Sequence, residues 1–297
     1  MITLYTSGGI GDQLQGFVVA KLLQDRGQEV AVNCCARNEV YRVLDYLFHG
    51  KLPIAQLPED TGDKLANDDS FFQEMTKGEE AYLVWPDLLF RHPRSVGLLT
   101  KQFLRLNSVK SLRLFADDFS FCDKRIYVGL VTSTEGYLYP KIPELLDELS
   151  ATFPDYEIYF PLVKQWADKK LNLGHFDRSF DGNVNIDTEP HIVLSIERMM
   201  DSAYCICTDN GPSHIAYHTG MNRLLLDPRF GYNNQTIPWA ARWRETLDDS
   251  VPLELDPKTI TQIVKTNLQC PQTRLIPQRV VAMNLGKDWS KELLFKW

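Results

Sequence analysis

Ile2-Thr3-Leu4-Tyr5-Thr6-Ser7-Gly8-Gly9-Ile10-Gly11-Asp12 opens the sequence, and its reading decides the fold. Ile2 to Tyr5 is a short β-branched and aromatic run, which predicts a strand. Gly8-Gly9-Ile10-Gly11 breaks it. Asp12 to Arg26 then places Leu14, Phe17, Val18 and Leu22 at helical spacing, and Gly27 supplies a stop. Glu29 to Cys34 predicts the next strand and Tyr41 to Phe48 the next helix. A strand–helix–strand–helix alternation of this kind predicts a parallel sheet covered by helices. Residues 58–80 are acidic and irregular, which predicts a loop carrying one short helix.

The same pattern restarts near residue 125. Ile126 to Val131 is almost continuously apolar, as a strand buried on both faces should be, and the polar turn Thr132 to Gly136 follows. Further helices are expected over Pro143–Leu149, His191–Met200, Ser213–Thr219 and Pro257–Leu268. Further strands are expected over Glu157–Phe160, Tyr204–Cys207 and Asn222–Leu226. The expected organisation is therefore α/β: an N-terminal domain over residues 1–120 and a C-terminal domain over 121–270. Residues 271–297 form a tail long enough to pack back on the first domain. With 297 residues, two domains fit the length.

Lys and Arg total 32 against 39 Asp and Glu, a net charge of −7, so a nucleic-acid partner is not expected. No run reaches the ~18–20 apolar residues of a membrane span. The opening residues lack the basic and apolar regions of a signal peptide, and the expected location is the cytoplasm. The six cysteines then default to thiols; neither Cys34-Cys35 nor Cys205/Cys207 has zinc spacing.

Two turns carry chemistry. Gly9-Ile10-Gly11-Asp12-Gln13-Leu14 approaches the dinucleotide fingerprint G-x-G-x-x-G but departs twice. Leu14 replaces the third glycine, and Asp12 sets a carboxylate where a phosphate would meet the helix start. Asp12 thus reads as a helix cap, as a general base at the sheet edge, or as both. In the second turn, Thr208-Asp209-Asn210-Gly211-Pro212-Ser213-His214 runs from strand into helix. Asn-Gly permits positive φ, and proline suits a first helical turn. The backbone N–H groups of Gly211, Ser213 and His214, with the Ser213 and His214 side chains, would make an anion site for a diphosphate. His214 and His218 share one helix face, but the glutamate of a zincin is absent: position 215 is Ile.

These residues resemble the ADP-heptose:lipopolysaccharide heptosyltransferase family, which shows G-x-G-D near the start and D-T/S-G-x-x-H-L-A-A late. The polar turn Thr132-Ser133-Thr134 and the aromatic-Pro pair Tyr139-Pro140 are similar to the family's as well. The resemblance implies a GT-B fold, two Rossmann-like domains facing a cleft, and an inverting transferase without metal or other cofactor. It implies Asp12 as the base. It places Thr132, Ser133, Thr134, Lys141, Asp209, Asn210, Gly211, Pro212, Ser213 and His214 at the nucleotide-sugar donor. The N-terminal half, with Gly9, Gly11 and Gln13, would hold a glycan or glycolipid acceptor.

Three positions depart from the pattern. Tyr137 stands where the family has lysine, with Lys141 just beyond; Asn210 stands for Thr/Ser; Tyr217 stands for the second alanine. The opening also resembles the α-1,2-fucosyltransferases, G-G-x-G-N-Q, so a GDP-sugar stays open alongside ADP-heptose. A nucleotide-sugar-binding protein without catalysis and a nucleotide-sugar epimerase or dehydrogenase are the competing classes.

From Arg91 to Arg113 the chain carries six basic residues (Arg91, Arg94, Lys101, Arg105, Lys110 and Arg113) and no acidic one. The stretch reads as a solvated helix face. Its functional alternative is an anionic-acceptor or peripheral membrane-surface site containing Arg91, Arg94 and Arg105.

Overall fold

A computed structural model describes residues 1–77, 79–84, 121, 123–132, 137–162, 176, 180, 182–227 and 250–269. The described residues up to Val84 belong to one compact unit and those from residue 121 onward to another. The expected boundary at residue 120 and the tail 271–297 lie outside the described residues, as does the basic stretch from Arg91 to Arg113.

In the first unit, β1 (Ile2–Ser7), β2 (Val30–Cys35), β3 (Ile54–Leu57) and β4 (Ala81–Val84) form a parallel sheet in the order β3-β2-β1-β4. All six residues of β1 are buried, the burial of a central strand covered on both faces. Helix α1 (Ile10–Gln24) follows the glycine turn, and α2 (Asn38–Phe48) turns Val43, Leu44, Leu47 and Phe48 inward. Phe17 of α1 stacks on Phe48 of α2 at 4.4 Å between ring centroids. Each such ring taken out of water contributes about 1.5–3 kcal/mol.

The expected loop at 58–80 is instead mostly helical: α3 (Asp60–Asn67) and α4 (Asp69–Thr76) run nearly end to end. The Asp68 carboxylate separates them by accepting the N–H groups of Ser70 and Phe71, which starts α4. Their acidic outer residues disguise a small apolar stripe. Leu65, Ala66 and Phe72 pack with Tyr5 and Leu83.

In the second unit, all strand pairs are again parallel. They are β5 (Asp123–Gly129), β6 (Glu157–Pro161), β7 (Val184–Asp187), β8 (Ser202–Thr208), β9 (Arg223–Asp227) and β10 (Ser250–Pro252). Their order is β10-β9-β8-β5-β6-β7. Renumbered from β5 and read from the β7 edge, this is 3-2-1-4-5-6, the doubly wound dinucleotide-binding order. Helices α5 (Ile142–Thr152), α6 (Ile192–Met200), α7 (Gly211–His218) and α8 (Pro257–Gln269) accompany it. Leu145, Leu146 and Leu149 of α5 join Ile260, Ile263 and Val264 of α8 in one core with Ile126, Ile206 and Leu224 of the sheet.

In this topology all strands point the same way, and it is the strand order that reverses between β5 and β8. A ligand crevice forms outside the carboxyl ends of the strands at such a reversal. The segments leaving β5 and β8 there are Leu130–Thr132 and Asp209–Gly211.

Candidate functional site

The second turn is built from its own capping chemistry. Asn210 is the cap of α7, and its side-chain oxygen accepts the Ser213 N–H at 3.1 Å. The Ser213 hydroxyl donates back to the Asn210 carbonyl at 2.8 Å and lies 3.3 Å from the Asn210 N–H. This corrects the expectation that the Ser213 N–H and hydroxyl stand ready for a phosphate; both serve the cap. The His214 N–H lies 3.4 Å from the Asn210 carbonyl as the first turn of helix. Pro212 has no N–H to give. The Gly211 N–H has no partner among the described residues, so it is the donor this turn leaves for an anion.

The Asn210 carboxamide also reaches across the crevice edge. Its nitrogen donates to the Gly129 carbonyl at 2.7 Å and lies 3.4 Å from the Val131 carbonyl. His214 is 3% exposed, and its Nε2 sits 3.2 Å from an Asp209 carboxylate oxygen. The imidazole expected to face a donor phosphate is thus packed against Asp209 within the turn. Beneath them the buried Arg223 of β9 donates to the Ser213 carbonyl at 2.9 Å and stacks 5.0 Å above the Tyr217 ring.

The segment opposite is pinned as well. The Thr208 hydroxyl, at the carboxyl end of β8, donates to the Tyr137 carbonyl at 2.7 Å. Burial pushes the Tyr139 phenol well above its ordinary value, so it stays a neutral donor, and it bonds the Leu255 carbonyl at 2.7 Å. These two bonds fix the chain just before α5, where Lys141 is the exposed cap residue. Thr132 is buried; Ser133 and Thr134 lie outside the described residues.

In the first unit Gly8 has φ +98, a conformation that glycine adopts without strain. A Cβ there would sit 2.9 Å from the Asp12 carboxylate. Asp12 is half-buried in the first turn of α1, and its Oδ2 accepts the Gly9 N–H at 3.2 Å. It is therefore the residue three places into α1 that answers the Gly9 cap. It also stands at the carboxyl end of β1, where this sheet reverses between β1 and β4. Gly9 is exposed and Gly11 half-buried beside it.

Gln13, expected at an acceptor, has its polar atoms engaged within the first unit. It is fully buried, its nitrogen donates to the Cys35 carbonyl at 2.9 Å, and its oxygen accepts the Thr6 hydroxyl. A side chain so satisfied is a structural tie between α1, β1 and β2. The sequence signal for this was available: Gln13 lies three residues after Ile10 and four before Phe17, on the apolar face of α1. Thr208 and the reach of Asn210 across to β5 were missed for want of any local signal.

The glycine lost at Leu14 reappears two residues on. A Cβ on Gly16 would lie 1.9 Å from the Thr6 methyl, so Gly16 provides the close helix–strand approach that the fingerprint's third glycine normally gives. Arg91, Arg94 and Arg105 lie outside the described residues. Among the described residues no group of three His, Cys, Asp or Glu could hold a metal ion. His218 is buried edge-on against Tyr217, and no described helix is long and apolar enough to cross a membrane.

No protein-family model matches this sequence, and no curated protein matches it. Solved structures do. The Escherichia coli ADP-heptose lipopolysaccharide heptosyltransferase II matches with a TM-score of 0.58 at 10% identity, over 92% of this chain and 99% of its own. The E. coli heptosyltransferase WaaC with ADP matches with a TM-score of 0.53 at 10% identity, over 90% and 98%. A family 9 glycosyltransferase from Veillonella parvula matches with a TM-score of 0.53 at 12% identity, over 96% of each chain. The chain thus has the fold of the GT-B glycosyltransferases, two Rossmann-like α/β domains.

Proposed function

We propose that this chain is a glycosyltransferase that moves a sugar from a nucleotide-sugar to an acceptor hydroxyl, with inversion and without a metal. The observation that carries the reading is the 3-2-1-4-5-6 sheet with the Asp209–His214 turn at its reversal point. In that position the crevice, the start of α7 and the Gly211 N–H suit a diphosphate. The E. coli WaaC structure contains ADP, which makes ADP the first nucleotide to test.

Transfer needs a base for the acceptor and a stabilised leaving group. In this reading the Asp12 carboxylate takes the proton of the acceptor hydroxyl. The hydroxyl oxygen bonds the anomeric carbon from the face opposite the diphosphate, and the bond to the diphosphate breaks. The diphosphate departs with its charge held at the α7 start, with Lys141 assigned as its cation. A single displacement inverts the anomeric centre. Metal independence rests on this cradle and on a sequence without D-x-D near a strand end. The acceptor is assigned to the first unit as a glycan or glycolipid. The basic residues 91–113 support an anionic acceptor or membrane surface, and the proposed place of work is the cytoplasm.

A nucleotide-sugar-binding protein without transfer is the second reading. It is favoured by Tyr137 at the position where the resembled family carries lysine. One experiment separates the two. The chain is first screened by thermal shift against ADP-, GDP-, UDP- and CDP-sugars, since a ligand of the folded state raises its stability. The stabilising sugar is then followed for transfer or release in excess EDTA. Binding with turnover in EDTA is expected. Binding without turnover under any metal supports the second reading, and stabilisation by none of the four removes both.

A further inference from the structure

We infer that Asn210 is the positioning residue of the donor site, joining its two loops through one carboxamide. The inference rests on the nucleotide-sugar reading for its ligand, but its geometry stands alone. The side-chain oxygen holds the Ser213 N–H at 3.1 Å and so starts α7. The side-chain nitrogen holds the Gly129 carbonyl at 2.7 Å, with the Val131 carbonyl at 3.4 Å. Gly129 ends β5 and Asn210 follows β8, the two strands that flank the reversal point. A carboxamide is the smallest side-chain group that accepts on one atom and donates on another. Serine and aspartate cap a helix about as well as asparagine, but neither can supply the amide donor.

The ordinary role of a cap is to stabilise its helix. Asn210 does more, because its second bond fixes where the backbone leaving β5 lies relative to the α7 start. A diphosphate bridging the two loops meets them already set, and the ordering cost of binding is paid in folding. Without the amide donor, the loop after β5 loses this tie to the α7 start, and that part of its order must come from the ligand.

The test compares the full chain with Asn210→Ser and Asn210→Asp, which keep a cap and lose the amide donor, and with Ser213→Ala, which removes the hydroxyl half of the capping box and keeps the donor. Amide exchange is read over residues 130–132 and over α7. Both Asn210 variants are expected to speed exchange at 130–132 about tenfold while α7 stays protected, whereas Ser213→Ala does the reverse. ADP, GDP, UDP and CDP are then titrated calorimetrically at a temperature well below unfolding. There a merely structural loss leaves the affinity of the folded molecules unchanged, and the inference expects affinity to fall about tenfold in both Asn210 variants. Unchanged exchange at 130–132 overturns the clamp whatever binds. Faster exchange with unchanged nucleotide affinity overturns its role in the donor site and leaves the nucleotide-sugar reading standing. A parent chain that binds none of the four nucleotides removes that reading and the ligand half of the inference with it.

Discussion

His214 and Asp209 form a buried pair, with the imidazole Nε2 3.2 Å from the carboxylate and side chains 3% and 6% exposed. They lie five residues apart, one before the α7 cap and one in its first turn, so the pair closes the turn across Asn210 and Gly211. Buried groups of this kind act as a unit, and removing one partner costs more than the pair is worth. His214→Ala and Asp209→Asn should each destabilise the chain by about 1–3 kcal/mol, and the double variant should cost clearly less than their sum. Nucleotide affinity should fall about ten- to hundredfold with His214→Ala, because the Gly211 N–H loses its setting. A double-mutant cycle by denaturant titration checks the coupling; strict additivity would show that the pair contributes nothing jointly.

Asp12 separates two roles with one substitution. Its Oδ2 accepts the Gly9 N–H, and an asparagine oxygen at the same place can accept it too. Asp12→Asn should therefore leave the unfolding midpoint nearly unchanged while transfer drops by at least ~10²-fold, since an amide takes no proton. Nucleotide affinity should hold, as the donor is assigned to the other unit. Transfer at near the parent rate would remove Asp12 as the base and leave it a cap.

Much of this fold was legible because buried parallel strands are written as apolar runs and their turns as glycine and Asn-Gly. The strands at Ile2, Val30, Ile126, Tyr204 and Leu224 all show it. The strands not foreseen are short or lie off the sheet centre. β7 is half-buried at every position and alternates Val184 and Ile186 with Asn185 and Asp187; β10 has three residues. At the site, residue types were legible and bonding was not. Asn210 and Ser213 were readable as polar groups beside a helix start, but nothing in their spacing says that each satisfies the other. That the Asn210 nitrogen would find a carbonyl 81 residues away is a product of sheet order, which brings β5 beside β8.

Glu157 gives a dependence on pH. It accepts from Arg125 of β5 at 2.6 Å and from Asn185 of β7 at 2.8 Å, tying three strands at one edge of the second sheet. Burial alone would raise its carboxyl, but the bonds from Asn185 and Arg125 outweigh that and hold it below the ordinary glutamate value. A depressed folded value means stability that is present above the unfolded value and lost as pH falls through the folded one. Glu157→Gln should cost about 1–2 kcal/mol at pH 7, discounted for its partial exposure. The difference from the parent should shrink as pH falls below about 4.3, the unperturbed glutamate value. Urea midpoints at pH 7, 5 and 3.5 read this; a constant difference across the three would mean that the carboxylate charge is not what stabilises.

Gly16 tests how closely α1 lies on β1. Alanine in a helix interior is ordinarily better than glycine by about 1 kcal/mol, so propensity alone predicts that Gly16→Ala stabilises. The structure predicts the opposite sign. The added methyl would stand 1.9 Å from the Thr6 methyl, which β1 cannot yield without loosening the Thr6 hydroxyl from Gln13 and Gln13 from the Cys35 carbonyl. Overpacking of this kind costs about 1–3 kcal/mol, and the coupled bonds put this site at the upper end. Thr6→Ser removes the opposing methyl and keeps the hydroxyl. The double variant Thr6→Ser/Gly16→Ala should therefore regain most of what Gly16→Ala loses, although each change alone destabilises. Denaturant midpoints of the parent, the two single variants and the double variant decide it. If Gly16→Ala stabilises, or if Thr6→Ser fails to rescue it, the helix does not sit on the strand at the distance described.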